Sequence, residues 1–180
     1  MTVSMISRTD RARGALLGVA AGDALGATVE FCRPAEIASR YGRHADIVGG
    51  GSFRWRPGQG TDDSDLTAAV ARAYAEGYSL CRVGEHFLAW RDRKPRDIGG
   101  TTAAALATLA NTGDPVQSGL SVLDRIDAAH AAGNGSLMRA MPTALAREDM
   151  GTRRREAAEI SAVTHAADPR FHDEYRRLRK

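Results

Sequence analysis

The stretch Gly58-Gln-Gly-Thr-Asp-Asp-Ser-Asp-Leu-Thr-Ala-Ala-Val-Ala-Arg-Ala-Tyr-Ala-Glu-Gly77 runs from a glycine turn into a helix and out again at a glycine. Leu66, Ala69, Val70, Ala73 and Tyr74 recur at spacings of three and four, which gathers them on one helical face. At its start Thr61 or Asp62 suits the N-cap, and Asp62, Asp63 and Asp65 lie where the helix dipole favours negative charge. Three carboxylates and a hydroxyl exceed what capping needs. Adjacent hard oxygens of this kind also suit Mg²⁺ or Mn²⁺, with water completing the shell, so capping and metal binding both stand as readings of the spacing.

Outward from this segment, nearly every stretch has helical period and very few alternate as strands do, so the expected fold is all-α. Upstream, Thr9 or Asp10 can cap a first helix whose apolar face uses Ala12, Leu16, Val19 and Ala20. Glycines at 14, 18, 22 and 26 form a stripe along it. Each costs a helix about 1 kcal/mol relative to alanine, which predicts close approach of another helix or a ligand. Residues 33 to 60, rich in glycine and proline, read as a loop-rich connection. Downstream, Ser79 opens a helix that turns Leu80, Val83, Phe87 and Trp90 inward. Further helices fit residues 101 to 110, 119 to 131, 136 to 146 and 152 to 165, with Pro142 kinking the third of these or marking its first turn.

Several other residues are candidates for chemistry. Glu30, between Val29 and Phe31, reads as a partly desolvated acid ready for proton transfer, or as an ordinary loop acid. Asp97 precedes Gly99 and Gly100 at a threonine-rich helix start, where backbone amides can receive a phosphate; equally it is a turn residue. Gly133-Asn134-Gly135-Ser136 repeats that arrangement, with Asn-Gly supplying positive φ and Arg139 adding charge. His165 closes an apolar helix, where a structural histidine is the default.

Composition narrows the classes. An apolar share of 43% and a charged share of 26% are those of a globular chain. The excess charge of +3 falls entirely within residues 151 to 180, as Arg153, Arg154, Arg155, Arg170, Arg176, Arg177, Arg179 and Lys180 outnumber five acids there. A solvated helix face explains this tail better than a nucleic-acid site. Cys32 and Cys81 have no partner spacing and read as reduced, partly buried thiols of a cytoplasmic protein. The apolar run Gly14 to Gly22 is too short for a bilayer span, so no membrane partner is expected.

The motifs Arg13-Gly-Ala-Leu-Leu-Gly-Val-Ala-Ala-Gly-Asp-Ala-Leu-Gly-Ala27 with Glu30, Gly-Gln-Gly-Thr-Asp-Asp-Ser, Asp-Ile-Gly, Gly-Asn-Gly-Ser-Leu-Met-Arg and Thr-His occur in this order. Together they resemble the ADP-ribosylglycohydrolases, from about Arg11 to His165. The resemblance implies an all-α fold and two Mg²⁺ or Mn²⁺ ions, with Thr61, Asp62 and Asp63 supplying the first half of their ligands. It also implies that Glu30 is the acid near the metals and Asp97 the acid facing ADP-ribose. Gly99, Gly100, Gly133, Asn134, Gly135 and Ser136, with Arg139 and His165, would cradle the substrate. That substrate is an ADP-ribosylated protein or an ADP-ribose-like small molecule.

The family's second metal motif, Asp-x-Asp-Thr, does not occur in these 180 residues. Residues 1 to 180 therefore read as one incomplete domain with a divergent charged tail at 166 to 180, binding metal weakly and turning over poorly alone. A binder that has lost catalysis and a purely structural helical protein are the alternatives. Bare apolar faces, including Leu137, Met141 and Leu145, are expected, and homodimerisation would cover them.

Overall fold

The computed structural model describes residues 6–123 and 133–166. Its elements are α1 (Arg8–Gly26), α2 (Pro34–Tyr41), α3 (Asp62–Ala75), α4 (Leu80–Arg91), α5 (Gly100–Thr112), α6 (Pro115–Leu123), a 3₁₀ turn (Asn134–Arg139), α7 (Met141–Ala146) and α8 (Met150–Ala162). The fold is all-α, and among the described residues the one extended pairing is an isolated bridge between Gly50 and Trp55. Of the helix expected over 119 to 131, residues 124 to 131 lie outside the described residues. Two compact units divide the chain, Met1–Asp65 and Leu66–Lys180. Among the described residues no helix is long and apolar enough to cross a membrane.

In the first unit α1 is capped by Ser7, whose hydroxyl accepts from the Asp10 amide at 3.1 Å; Thr9 and Asp10, the expected caps, lie inside the helix. Of its expected apolar face, Ala12 and Val19 are half-buried and Leu16 and Ala20 exposed. Ala24 is the buried residue of α1, while Leu16 and Leu17 are 37% and 69% exposed. The glycine stripe meets no close neighbour either: a Cβ at Gly14, Gly18, Gly22 or Gly26 would find nothing within 4 Å. Close approach therefore does not explain the stripe among the described residues. The connection from 33 to 60 is also less loop-like than expected, because α2 occupies its start. Pro34 presets the helical φ at the first position, and Glu36 accepts from the Arg33 amide at 2.8 Å.

The rest of that connection wraps around Trp55, which is 7% exposed. Gly50 and Trp55 exchange backbone hydrogen bonds of 2.8 and 2.7 Å. Gly49 has φ +70, and a Cβ there would stand 2.6 Å from the Trp55 carbonyl oxygen, so no side chain fits.

In the second unit the face read from the α3 spacing is the core. Leu66, Ala69, Val70 and Ala73 pack with Val83, Phe87 and Trp90 of α4, Leu106 and Leu109 of α5, and Ile160 and Val163 around the end of α8. Each large side chain so buried contributes about 1.5–3 kcal/mol. Ser79 caps α4 by accepting from the Arg82 amide at 3.1 Å. Tyr74 ties α3 to α8, its hydroxyl donating to Glu156 Oε2 at 2.8 Å, and Arg147 pairs with the same oxygen at 2.7 Å. The segment expected to be one helix over 136 to 146 is a 3₁₀ turn followed by α7, and Pro142 stands in the first turn of α7, where its missing N–H costs nothing. Cys81 is exposed rather than partly buried, while Cys32 is half-buried.

Candidate functional site

The first candidate group belongs to the first unit. Asp23, near the end of α1, aims its carboxylate at the start of α3. Oδ2 accepts from the amides of Thr61 at 2.8 Å and Ser64 at 3.1 Å, and Oδ1 accepts from the Thr61 hydroxyl at 2.8 Å. The Thr61 oxygen in turn accepts from the Asp63 amide at 3.2 Å. The amides of Thr61, Asp63 and Ser64 are thus satisfied by Asp23 and Thr61, and the capping of these amides does not rest on the carboxylates of Asp62 or Asp63.

Glycine at 60 is what lets these groups meet, since a Cβ there would lie 2.8 Å from Ser64 Cβ and 3.0 Å from Asp23 Oδ2. Thr61 is buried, Asp62, Asp63 and Glu30 are half-buried, and Asp65 is exposed. In the sequence Asp23 stands only as one residue of the Arg13–Ala27 motif, with no role assigned to it. The signal was there: an acid in the last turn of a small-residue helix, with the acid-rich helix start as its natural partner.

Asp23→Ala removes three hydrogen bonds to one carboxylate and takes the acceptor from the Thr61 and Ser64 amides at the helix start. A loss of about 2 kcal/mol in urea unfolding is expected. Unchanged stability would show that Thr61 caps α3 without help.

Thr61, Asp62 and Asp63 offer hard oxygen donors, the type that Mg²⁺ or Mn²⁺ takes. The Thr61 hydroxyl gives its proton to Asp23, so its oxygen faces the turn with lone pairs. Among the described residues, no three His, Cys, Asp or Glu side chains come together as a metal-holding group. By its chemistry the set suits a hard cation.

The second group belongs to the second unit. Asp97 is half-buried ahead of α5, whose N-cap is Gly99 and whose first residue is Gly100; both glycines are exposed. A Cβ on Gly100 would meet nothing within 4 Å.

Gly133, Asn134 and Gly135 differ from expectation. Gly133 has φ −60, and neither Asn134 nor Gly135 has positive φ. Their small size serves His165 instead: a Cβ at Gly135 would lie 2.9 Å from its Cε1 and 3.0 Å from its Nε2, and one at Gly133 would lie 3.6 Å from Nε2. Asn134 is exposed and Ser136 half-buried. Thr102 Oγ1, 3.8 Å from the same Gly135 position, completes this contact.

Arg139 departs from the role of a surface charge. It is fully buried, with its guanidinium 4.6 Å from the Phe87 ring centroid. It donates to the carbonyls of Gly135 at 3.2 Å and Ile160 at 3.1 Å, and to Thr164 Oγ1 at 2.6 Å. The geometry makes it a clamp on the glycine turn rather than a group displayed by it.

His165 is 9% exposed, and burial first, then the Arg139 charge, push its pKa down to about 4. It stays neutral in the folded chain while the unfolded chain's imidazole titrates near 6.5. Above that value the two states bind protons alike. As pH falls from 6.5 towards 4 the unfolded state gains a proton that the folded state refuses, and stability drops by roughly 3 kcal/mol. Urea midpoints from pH 7 to 4 for the wild type and His165→Gln check this. Parallel profiles would remove His165 as the cause.

The structure is an all-α chain with an oxygen-rich helix start in its first unit and a glycine turn against His165 in its second. The family model for ADP-ribosylglycohydrolase matches residues 4–173. The chain belongs to the ADP-ribosylglycohydrolase family. It is 41% identical over 142 residues to the ADP-ribosyl-[dinitrogen reductase] glycohydrolase of Rhodospirillum rubrum, covering 76% of this chain and 45% of that protein. Identity to the ADP-ribosylarginine hydrolase Tri1 of Pseudomonas putida is 35% over 170 residues, covering 88% of this chain and 42% of the relative. A solved structure titled ADP-ribosylglycohydrolase-related protein complex superposes with a TM-score of 0.71 at 34% identity, covering 88% of this chain and 50% of that one. The chain thus spans about half the length of the relatives it matches.

Proposed function

We propose that this chain serves the hydrolytic release of ADP-ribose from a modified side chain, with ADP-ribosylarginine on a cytoplasmic protein as the first substrate to test. The observation that carries this reading is the Thr61-Asp62-Asp63 turn, held by Asp23 in a chain whose family motif runs nearly end to end. The names of two relatives support the linkage class, since they act on ADP-ribosyl dinitrogen reductase and on ADP-ribosylarginine.

Cleavage of a glycosidic bond builds positive charge at the anomeric carbon while water attacks it. Thr61, Asp62 and Asp63 would hold Mg²⁺ or Mn²⁺, which when bound supplies Lewis-acid polarisation of oxygen ligands. Glu30 and Asp97 are the carboxylates assigned to proton transfer and to orientation of the ribose. The Gly99-Gly100 and Gly133–Ser136 segments offer backbone amides to the diphosphate, and His165 offers a ring N–H.

Release of ADP-ribose from an ADP-ribosylated arginine peptide, followed by chromatography with and without Mg²⁺ or Mn²⁺, tests the reading. Metal-dependent release by the wild type and its loss in Asp62→Ala are expected. Binding of ADP-ribose without release would replace the hydrolase by a binder, and the absence of both would sink the proposal.

A further inference from the structure

Three hydrogen-bonding groups behind the glycine turn fix one another's protons. Arg139 carries donors only, so in its 2.6 Å contact with Thr164 the threonine oxygen must accept. The Thr164 hydroxyl proton is then available for a second partner. Among the described residues the acceptor in reach is His165 Nδ1, at 2.7 Å. A ring nitrogen that accepts carries no proton, so a neutral His165 must carry its proton on Nε2. That nitrogen faces the backbone of Gly133 and Gly135. The charged group facing the ring from the turn is Arg139, and α5 contributes Thr102, which does not titrate.

The geometry points to Arg139 and Thr164 as positioning residues that hold His165 as its neutral Nε2–H tautomer, presenting one N–H donor at the Gly133–Gly135 turn. The opposite tautomer would place a lone pair there and repel an anionic oxygen. A ring free to take both forms, or to charge near neutral pH, would present this donor only part of the time. Arg139 reaches both ends of the device, because the guanidinium that orders the Thr164 proton also holds the Gly135 carbonyl. Its consequence for ligand binding rests on the proposed ADP-ribose reading; the tautomer itself does not.

Long-range nitrogen–proton NMR on the isotope-labelled full chain reads the tautomer directly, with the His165 signals assigned by their loss in His165→Gln. The expected wild-type pattern is an unprotonated Nδ1 and a protonated Nε2 that do not change between about pH 8 and 5. Thr164→Ser keeps the hydroxyl and should keep the pattern. Thr164→Val, matched in shape, removes the hydroxyl that fixes Nδ1 as an acceptor and should show mixed tautomers. Calorimetry with free ADP-ribose should give an affinity about fivefold weaker for Thr164→Val and near wild type for Thr164→Ser.

A protonated Nδ1 in the wild type, or an unchanged pattern in Thr164→Val, overturns the assignment; should the valine variant fail to fold, the wild-type and serine spectra still decide. The expected spectra with equal ADP-ribose affinity in both variants overturn the presenting role. The expected spectra with no ADP-ribose binding by the wild type overturn the functional reading and leave the tautomer standing.

Discussion

Arg139→Ala is expected to lower stability by about 3–5 kcal/mol, a large part of what a domain of this size has. The residue is fully buried, and its loss removes the donor to the carbonyls of Gly135 and Ile160 and to the Thr164 oxygen. Hydrogen bonds from a charged donor are worth about 1.5–3 kcal/mol each when their partners are left buried. The guanidinium also stacks over Phe87, so truncation opens a cavity against the core. Arg139→Lys keeps the charge but cannot span three acceptors with one ammonium, and a smaller loss is expected. Urea unfolding at pH 7, where His165 is neutral in both folded and unfolded chains, isolates the effect. An alanine variant within 1 kcal/mol of wild type would mean that the turn holds its shape without the clamp.

How far the sequence reveals this protein depends on whether a residue's partner is near in the chain. The α3 face and the Ser79 cap were legible because periodicity and capping are local rules, and Leu66, Val70, Phe87 and Trp90 stand buried as their spacing requires. Helix α2 was equally local: Pro34 with Glu36 is a helix start, and the surrounding glycines hid it.

Longer-range facts were not legible. Arg139 looks like any charged residue after a loop, and its burial depends on Ile160 and Thr164, more than twenty residues away. The glycines of the 133–135 turn were assigned to positive φ, the commoner reason for Asn-Gly, when their actual cause is the His165 ring. Asp23 was passed over because its partners lie 38 and 41 residues on. The glycine stripe of α1 shows the opposite error. A pattern that suggested contact has no neighbour among the described residues, and we have no physical account of it. For the candidate site, the identities of Thr61, Asp62 and Asp63 came from the motif, whereas the capping of the Thr61 and Ser64 amides by Asp23 came only from the structure.

Gly119→Ala is expected to be the most damaging single methyl group in the chain. Gly119 lies in α6 with helical backbone, so glycine is not needed for its conformation; by intrinsic propensity alone alanine would help by about 1 kcal/mol. Packing reverses the sign. A Cβ at 119 would overlap the Ala162 carbonyl oxygen at the end of α8, and would also sit 2.8 Å from the carbonyl carbon and 3.2 Å from Ala166 Cβ.

Neither backbone can step aside cheaply. The neighbouring Ser118 hydroxyl, fully buried, lies 2.7 Å from the Ala105 carbonyl and 2.9 Å from that of Val163, sharing its proton between α5 and the residue after α8. Separating α6 from α8 would stretch this contact and open the core beside Val163. The expected cost exceeds about 4 kcal/mol, beyond ordinary overpacking because the obstacle is backbone rather than a side chain that can rotate. The result to look for is a chain that fails to give a cooperative thermal transition, beside a Gly113→Ala control whose methyl group meets no neighbour and whose penalty is limited to its left-handed φ of +68. If Gly119→Ala melts within a few degrees of wild type, α6 and the end of α8 cannot be in the close contact described, and the route by which Ser118 joins α5 to the Thr164–His165 segment would fail with it.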